Sequence, residues 1–491
     1  MIETVEQATM PDNTTRLTVA NYLKGGIGNQ LFQHVFATSL ARKLNAELLS
    51  DVSFFNADPY NNQSVLKYFD PNAQLTQVGQ LRGPGNYMLR DGVLSSISDQ
   101  LNLPADAKVL ALDGYWQSEK LLDRSVVSET YSAIARSMQS ITESAVAQEM
   151  IADDNAVAVH IRRRDYGHMG VCEPSYYIGA LDFIRKRYPD SRLYVFSDEP
   201  NFAQQFLGPR YAGLKLVNSG GDLSDLYLMS LCKHFVIANS TYSWWAAYFA
   251  ESKGGIIISP KEWVTIPGVP SPCPERWIQI PNAVRSLQVD QAEASRVEGQ
   301  IHQILHDQAV RNWLQDKGGS TLRITFDHLK EDDVVLDVGS YQGDWAAAIT
   351  SRYPVKLFAF EPVHGRAAAI AARFIGKPQV KVLQHGLATF NGRQSRADKE
   401  PLDVRSINEW LSEEGIQEIA LMKLNMAGAE YDLLDQLIES GLMQRVRKLQ
   451  VQFDDRHVDA IQRREVLTKK LCATHRRNWH YYFVWEEWER I

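Results

Sequence analysis

The sequence predicts an α/β protein built on parallel sheets, and three observations carry that prediction. Short apolar runs of strand length alternate with segments of helical periodicity. Several of these runs end in glycine-rich or polar turns that open a helix. The alternation also occurs twice, in two series separated by a polar stretch. Strand–helix repetition of this kind places helices on both faces of a mostly parallel sheet.

The first series begins after a polar segment, residues 1–17, which reads as a flexible tail. LTVANYL (17–23) is a strand and GGIGNQ (25–30) a glycine loop. LFQHVFATSLARKL follows as a helix, with Phe32, Phe36 and Leu40 at helical spacing. From residue 155 onward AVAVHI, RLYVFSD, LKLV, HFVIANS and GIIISP read as further strands. Residues 287–330 are polar with sparse apolar repeats, as expected of a helical linker. The second series comprises VVLDVG, VKLFAFEP, VKVLQHG, IALMKLNM and KLQVQFDD, within a domain expected over 331–491.

Composition narrows the function. The 491 residues suffice for several domains, and a net charge of -7 argues against a general nucleic-acid or membrane-surface binder. Cys172, Cys232, Cys273 and Cys472 are widely spaced and show no CxxC pattern. That spacing argues against a disulfide framework or zinc site and for a reducing compartment. The N-terminus lacks the basic and apolar regions of a signal peptide, and no apolar run reaches the roughly 20 residues that cross a bilayer. The expectation is a cytoplasmic protein without a membrane span, with peripheral association left open.

The chemistry concentrates at strand ends, where ligands of open parallel sheets bind. VAVHIRRRDYG (157–167) ends a buried run in three arginines. A guanidinium fork suits a phosphate or diphosphate, and the competing reading is a solvated charged loop. GGIGNQ places backbone amides at a helix start, which favours an anion or makes a tight turn. Ser197 and Asp198 end another strand, where a turn is the competing reading. DLYLMSLCKHFVIANSTYSWWAAYF (225–249) sets Asp225 on a helix and then hydroxyls beside Trp244 and Trp245, which on their own read as core.

Together, GGIGNQLFQ, HIRRRDY, FSD and MSLCKHFVIANSTYSWW resemble, in order, the motif series of bacterial α-1,2-fucosyltransferases of glycosyltransferase family 11. ISPKEW (258–263) fits that family's closing segment, and the resemblance covers about residues 18–285. It implies a GT-B-type pair of Rossmann-like domains, with 18–150 on the acceptor side and 155–285 on the nucleotide-sugar side. It implies GDP-fucose as donor, a galactoside or lipid-linked glycan as acceptor, inversion at the anomeric carbon, and no metal. Arg162 would bind the diphosphate, with Arg163 supporting it or its loop and His160 among the substrate-binding residues. Gly25, Gly26, Gly28 and Asn29 would approach from the acceptor side. Ser197, Asp198, Asp225, Ser240 and Ser243 would lie near the nucleotide. Asp165 and Glu173 are candidates for the general base, though for Asp165 the role of holding Arg162 or His160 in place ranks ahead.

In the second series, EDDVVLDVGSYQGDW reads as strand, glycine loop, helix, with Asp337, Gly339 and Gly343 around the turn. Glu361 follows Asp337 by 24 residues at the next strand end, a position that takes ribose hydroxyls. LDVGSYQGDW, FAFEP and MKLNMAGAEYDLL resemble FkbM-like methyltransferases, which implies a third Rossmann-like domain and S-adenosylmethionine as cofactor. Two features depart from that family: Ala427 stands where its glutamate precedes the glycine, and the segment 387–411 is short. The expected function is therefore a fucosyltransferase fused to a methyltransferase-like domain that O-methylates the glycan. The alternatives are a glycan-binding or scaffold protein with a degenerate second domain, and a sugar O-methyltransferase as the main activity.

Overall fold

Long apolar runs dictate strands covered on both faces, and VAVHI shows it: all five residues of Val157–Ile161 are buried. In this computed structural model the described residues are 3–4, 16–58, 62–76, 84–163, 170–264, 270–281, 290–396, 399–457 and 459–491. The chain divides into two units, Met1–Ile301 and His302–Ile491.

Among the described residues the first unit holds two six-stranded sheets. The strands of the first sheet are β1 (Glu3–Thr4), β2 (Thr18–Tyr22), β3 (Glu47–Asp51), β4 (Gln74–Leu75), β5 (Asn86–Arg90) and β6 (Val109–Asp113). Their order is β1-β5-β6-β2-β3-β4, parallel except for β1, so Glu3 and Thr4 of the expected tail pair with β5. The second sheet has β7 (Val157–Ile161), β8 (Leu193–Ser197), β9 (Lys215–Leu216), β10 (His234–Val236), β11 (Ile257–Pro260) and β12 (Ile278–Ile280). Its order is β12-β11-β10-β7-β8-β9, all parallel.

One hydrophobic core runs through both sheets of this unit. The helix Ile27–Lys43 brings Phe32 against Trp244 and Trp245 of the helix Thr241–Ala250, with ring centroids 4.6 and 4.9 Å apart. A charged set joins the same parts at the surface, where Arg276 bonds both Glu119 and Glu251.

The helix Gln291–Gln315 spans the unit boundary. In the second unit the strands are β13 (Val334–Val338), β14 (Lys356–Phe360), β15 (Val380–Leu383), β16 (Gly386–Ala388), β17 (Gly392–Arg396), β18 (Lys399–Ser406), β19 (Leu421–Leu424), β20 (Lys448–Val451), β21 (His475–Tyr481) and β22 (Trp485–Arg490). The main sheet runs β15-β14-β13-β19-β20-β22-β21, parallel up to β20 and antiparallel in the final hairpin. β16, β17 and β18 form a small separate sheet. No helix of the described residues is long and apolar enough to cross a membrane.

Candidate active site and second glycine-loop site

At the carboxyl end of β7, buried His160 shares a 2.8 Å hydrogen bond between its Nδ1 and Ser243 Oγ. Burial, aided by the nearby Arg162 cation, lowers the imidazole to about 3, so it is neutral and holds the helix that carries Ser243. Arg162 follows β7, and its Nε lies 3.3 Å from Asp198 Oδ2. Asp198 also accepts the Arg163 amide at 3.1 and 3.2 Å. One carboxylate from the end of β8 thereby sets the backbone and one guanidinium from the end of β7. The Arg163 side chain turns elsewhere, bonding Glu199 at 3.0 Å and covering the Phe202 ring at 3.8 Å. Ser197 Oγ accepts the Glu199 amide at 3.0 Å and so closes the β8 turn.

β10 leads to buried Ser240, the residue before the helix Thr241–Ala250, whose side chain makes no capping bond to that helix. Asp225 accepts the Ser219 amide at 2.8 Å, and burial raises its carboxyl above the usual range. Glu173 is buried at the start of the helix Pro174–Arg187, near enough to Arg296 for that guanidinium to feel its charge. Asp165 lies outside the described residues.

The glycine loop of the first sheet meets this edge directly. A Cβ on Gly28 would stand 2.4 Å from the Thr241 carbonyl carbon, so no side chain larger than hydrogen fits without a shift of backbone. Gly28 O accepts the Trp245 indole N–H at 3.0 Å, and Thr241 Oγ1 lies 3.2 Å from Asn29 Oδ1. Asn29 Oδ1 also accepts from Gln117 at 2.9 Å. Gly25 takes φ +76°, and Gly26 caps the helix that follows.

Several participants escaped the sequence reading. Tyr242 places its ring 5.4 Å from His160 and donates to Asp222 O at 2.5 Å. Burial, with the charges of Asp225 and Asp222, pushes its phenol well above the usual value. Gln30 and Gln33 staple the glycine loop by bonding Gly25 O and the Lys24 amide. Lys24 pairs with Asp113 at 2.6 Å across the ends of β2 and β6. The glutamines stand within the quoted GGIGNQLFQ motif, and the tyrosine within NSTYSWW. Lys24 and Asp113 carry no local signal, because only the fold joins them.

In the second unit the glycine loop lies between the ends of β13, β14 and β19, where the strand order changes direction. Asp337 is fully buried and ion-paired with Lys423 Nζ at 2.9 Å, and the same ammonium donates to Gly339 O at 2.7 Å. Gly339 has φ +80°, and a Cβ there would fall 2.0 Å from Asn425 O. Gly343 has φ +75° at the start of the next helix. Glu361 is buried, accepting the Tyr341 amide on Oε2 at 2.9 Å and the Val363 amide on Oε1 at 3.0 Å. Arg366 covers the Tyr341 ring at 4.6 Å beside it. Ala427 takes φ +52°, a left-handed conformation uncommon outside glycine. Buried Glu430 secures that loop by accepting the amides of Gly428 at 2.9 Å and Asp454 at 2.8 Å.

No group of residues with metal-ligand character occurs among the described residues. Residues 97–267 match the sequence family described as Glycosyl transferase family 11. An alpha-1,2-colitosyltransferase of Escherichia coli is 26% identical over 285 residues, covering 52% of this chain and 97% of that protein. The O-antigen biosynthesis glycosyltransferase WbnK of Escherichia coli is 28% identical over 281 residues, covering 49% and 93%. Among solved structures, fucosyltransferase NodZ from Bradyrhizobium aligns with TM-score 0.35 and 15% identity, over 48% of this chain and 93% of that one. A putative rRNA methylase from Clostridium thermocellum aligns with TM-score 0.24 and 11% identity, over 33% and 91%. The arginine-bearing edge of the first unit thus lies within residues 97–267, the stretch that matches glycosyl transferase family 11.

Proposed function

We propose that the first unit transfers L-fucose from GDP-fucose to the 2-hydroxyl of a terminal galactoside, inverting the anomeric carbon. The observation that carries this reading is Arg162, held by Asp198 just past the end of a buried strand. As the bond from the sugar to the diphosphate breaks, its electron pair and negative charge pass to GDP. A guanidinium held in advance stabilises that charge without reorganising. The acceptor oxygen forms the new bond, and its proton passes to a general base, for which Asp165 and Glu173 are the candidates. Neutral His160 and Ser243 hold the strand end and the helix in register, while Arg163 supports the loop from its seat on Glu199 and Phe202. No metal takes part in this scheme. A second reading, in which colitose is the transferred sugar, is favoured by the name of the 26% identical relative. Incubation with GDP-fucose or an activated colitose donor and a panel of β-galactosides, with linkage analysis, decides between them. Product with neither donor overturns the proposal in favour of a glycan-binding or scaffold role.

The second unit is proposed to hold S-adenosylmethionine and to O-methylate the glycan. Its residues fit: the loop at Gly339 and Gly343 is tight, and each Glu361 oxygen keeps a lone pair for a ribose hydroxyl beyond its one amide bond. Asp337 acts from within, through Lys423 on the loop backbone. When bound, the cofactor would supply an electrophilic methyl group. Calorimetry of the full chain should detect heat with S-adenosylmethionine or its demethylated product. Absence of heat with both counts against the cofactor.

A further inference from the structure

The second unit contains a groove of about 530 Å³ that neither glycine loop touches. One wall is the end of the helix Gln291–Gln315 and the turn after it, which present Gln308, Asn312, Gln315 and Asp316. The opposite wall is β21, the edge strand of the sheet, with Trp479 and Tyr481. Gln308, Asn312 and Gln315 recur at spacings of four and three, which aligns them on one helix face. The register of β21 shifts between Arg477 and Trp479, an irregularity of the kind that re-aims a side chain. The Trp313 ring backs both aromatics, 5.9 Å from Trp479 and 5.1 Å from Tyr481. Tyr481 donates to Asp316 at 2.5 Å, which fixes its ring.

The chemistry of these walls selects a ligand class. Three carboxamides make no side-chain hydrogen bond among the described residues, and each offers both donors and acceptors. A purely apolar partner would leave them buried and unpaired, at a cost for each. No lysine or arginine lines the groove, and the Asp316 carboxylate disfavours an anion such as a nucleotide or phosphate. Half-buried aromatic faces suit a flat C–H surface, and amides suit a ring of hydroxyls. We infer that this groove is a saccharide-binding site for a neutral glycan segment. It would hold sugar independently of the arginine edge in the first unit, so its test does not run through transfer.

The test is fluorine NMR of the full chain labelled with 5-fluorotryptophan, with the Trp479 resonance assigned through Trp479→Phe. Titration with lactose, N-acetyllactosamine and maltose should move the Trp479 resonance for at least one of them, whereas GDP should leave it in place. The double variant Asn312→Ala/Gln315→Ala, at exposed positions that the fold does not need, should weaken that sugar's binding at least fivefold. A Trp479 resonance that no sugar moves, one that GDP moves equally, or a double variant with unchanged affinity would each overturn the assignment.

Discussion

The two glycine loops of this chain share one local signature and differ in what surrounds them. In the first unit the loop is shaped from outside: Gly28 is small because the Thr241 backbone of the other sheet's helix lies against it. In the second unit the loop is shaped from within, by the Asn425 carbonyl beside Gly339 and by Lys423 bridging Asp337 to the loop. The charges differ in the same way. Arg162 is about one-third exposed, whereas Asp337 and Glu361 are buried, Asp337 against Lys423 and Glu361 against the Tyr341 and Val363 amides. Strand, glycine loop and helix therefore mark a place where a ligand can sit. Whether the nearby charge faces outward depends on partners from distant segments.

The largest effect that would break this contrast is expected inside the second unit. Lys423→Met leaves Asp337 buried and unpaired, and such a loss typically costs about 3–5 kcal/mol. Urea denaturation should show the second unit's transition shifted to lower concentration, and an unchanged midpoint would show that the ion pair does not hold the loop. Arg162→Lys should instead spare stability and slow transfer from GDP-fucose about a hundredfold, on the order of 3 kcal/mol. Lysine keeps the charge and loses the planar fork, so near-normal initial rates would remove the bidentate role. Next come the glycines. Gly28→Ala forces a backbone contact and should cost about 1–3 kcal/mol. Gly339→Ala adds a left-handed φ to a closer collision and should cost more, which thermal melts of the two variants would rank.

The pH response sharpens the comparison further. Burial lowers His34 to about 4 and His160 and His234 to about 3, all in the first unit. Each stays neutral when folded but takes a proton near its ordinary value of about 6.5 when unfolded. The unfolded chain thus binds more protons below that point, and first-unit stability should fall as pH drops from about 6.5 toward 3. The second unit has His328, His385 and His475 lowered without so large a shift, while a carboxyl raised by burial in each unit, Asp225 in the first and Glu430 in the second, acts in the opposite sense. Calorimetry between pH 7 and 5 should therefore show the first unit's melting temperature falling more steeply. Smallest of all, EDTA should leave transfer unchanged; loss of activity restored by a divalent ion would end the metal-free scheme.

Much of this was legible in the sequence, because parallel strands buried on both faces announce themselves as apolar runs. VAVHI, LYVFS and VVLDV fall where their patterns place them. The C-terminal hairpin was not legible, since HRRNWHY and WEEWER read as charged. Their inward acids are satisfied by residues far away in sequence: Glu486 by buried Arg464 at 2.8 Å, and Glu487 by Gln450 at 2.9 Å. The small sheet β16–β18 hid in the same way within 386–406, a stretch of turn-forming and charged residues. At the arginine edge, motif residues gave the location. Tyr242 stood within a quoted motif, but its seat against His160 did not show there, and the Lys24–Asp113 pair beside the glycine loop became visible only when β2 and β6 lay side by side.

The bond from the Trp245 indole to Gly28 O, with the tilted Phe32 ring packed against it, bears on how this protein could be recombined. A chimera of related chains joined at 153–155 would take Phe32 and Gly28 from one parent and Trp244, Trp245 and Thr241 from the other. Unless those five residues travel together, the hybrid inherits an unmatched seam in the core that both sheets share.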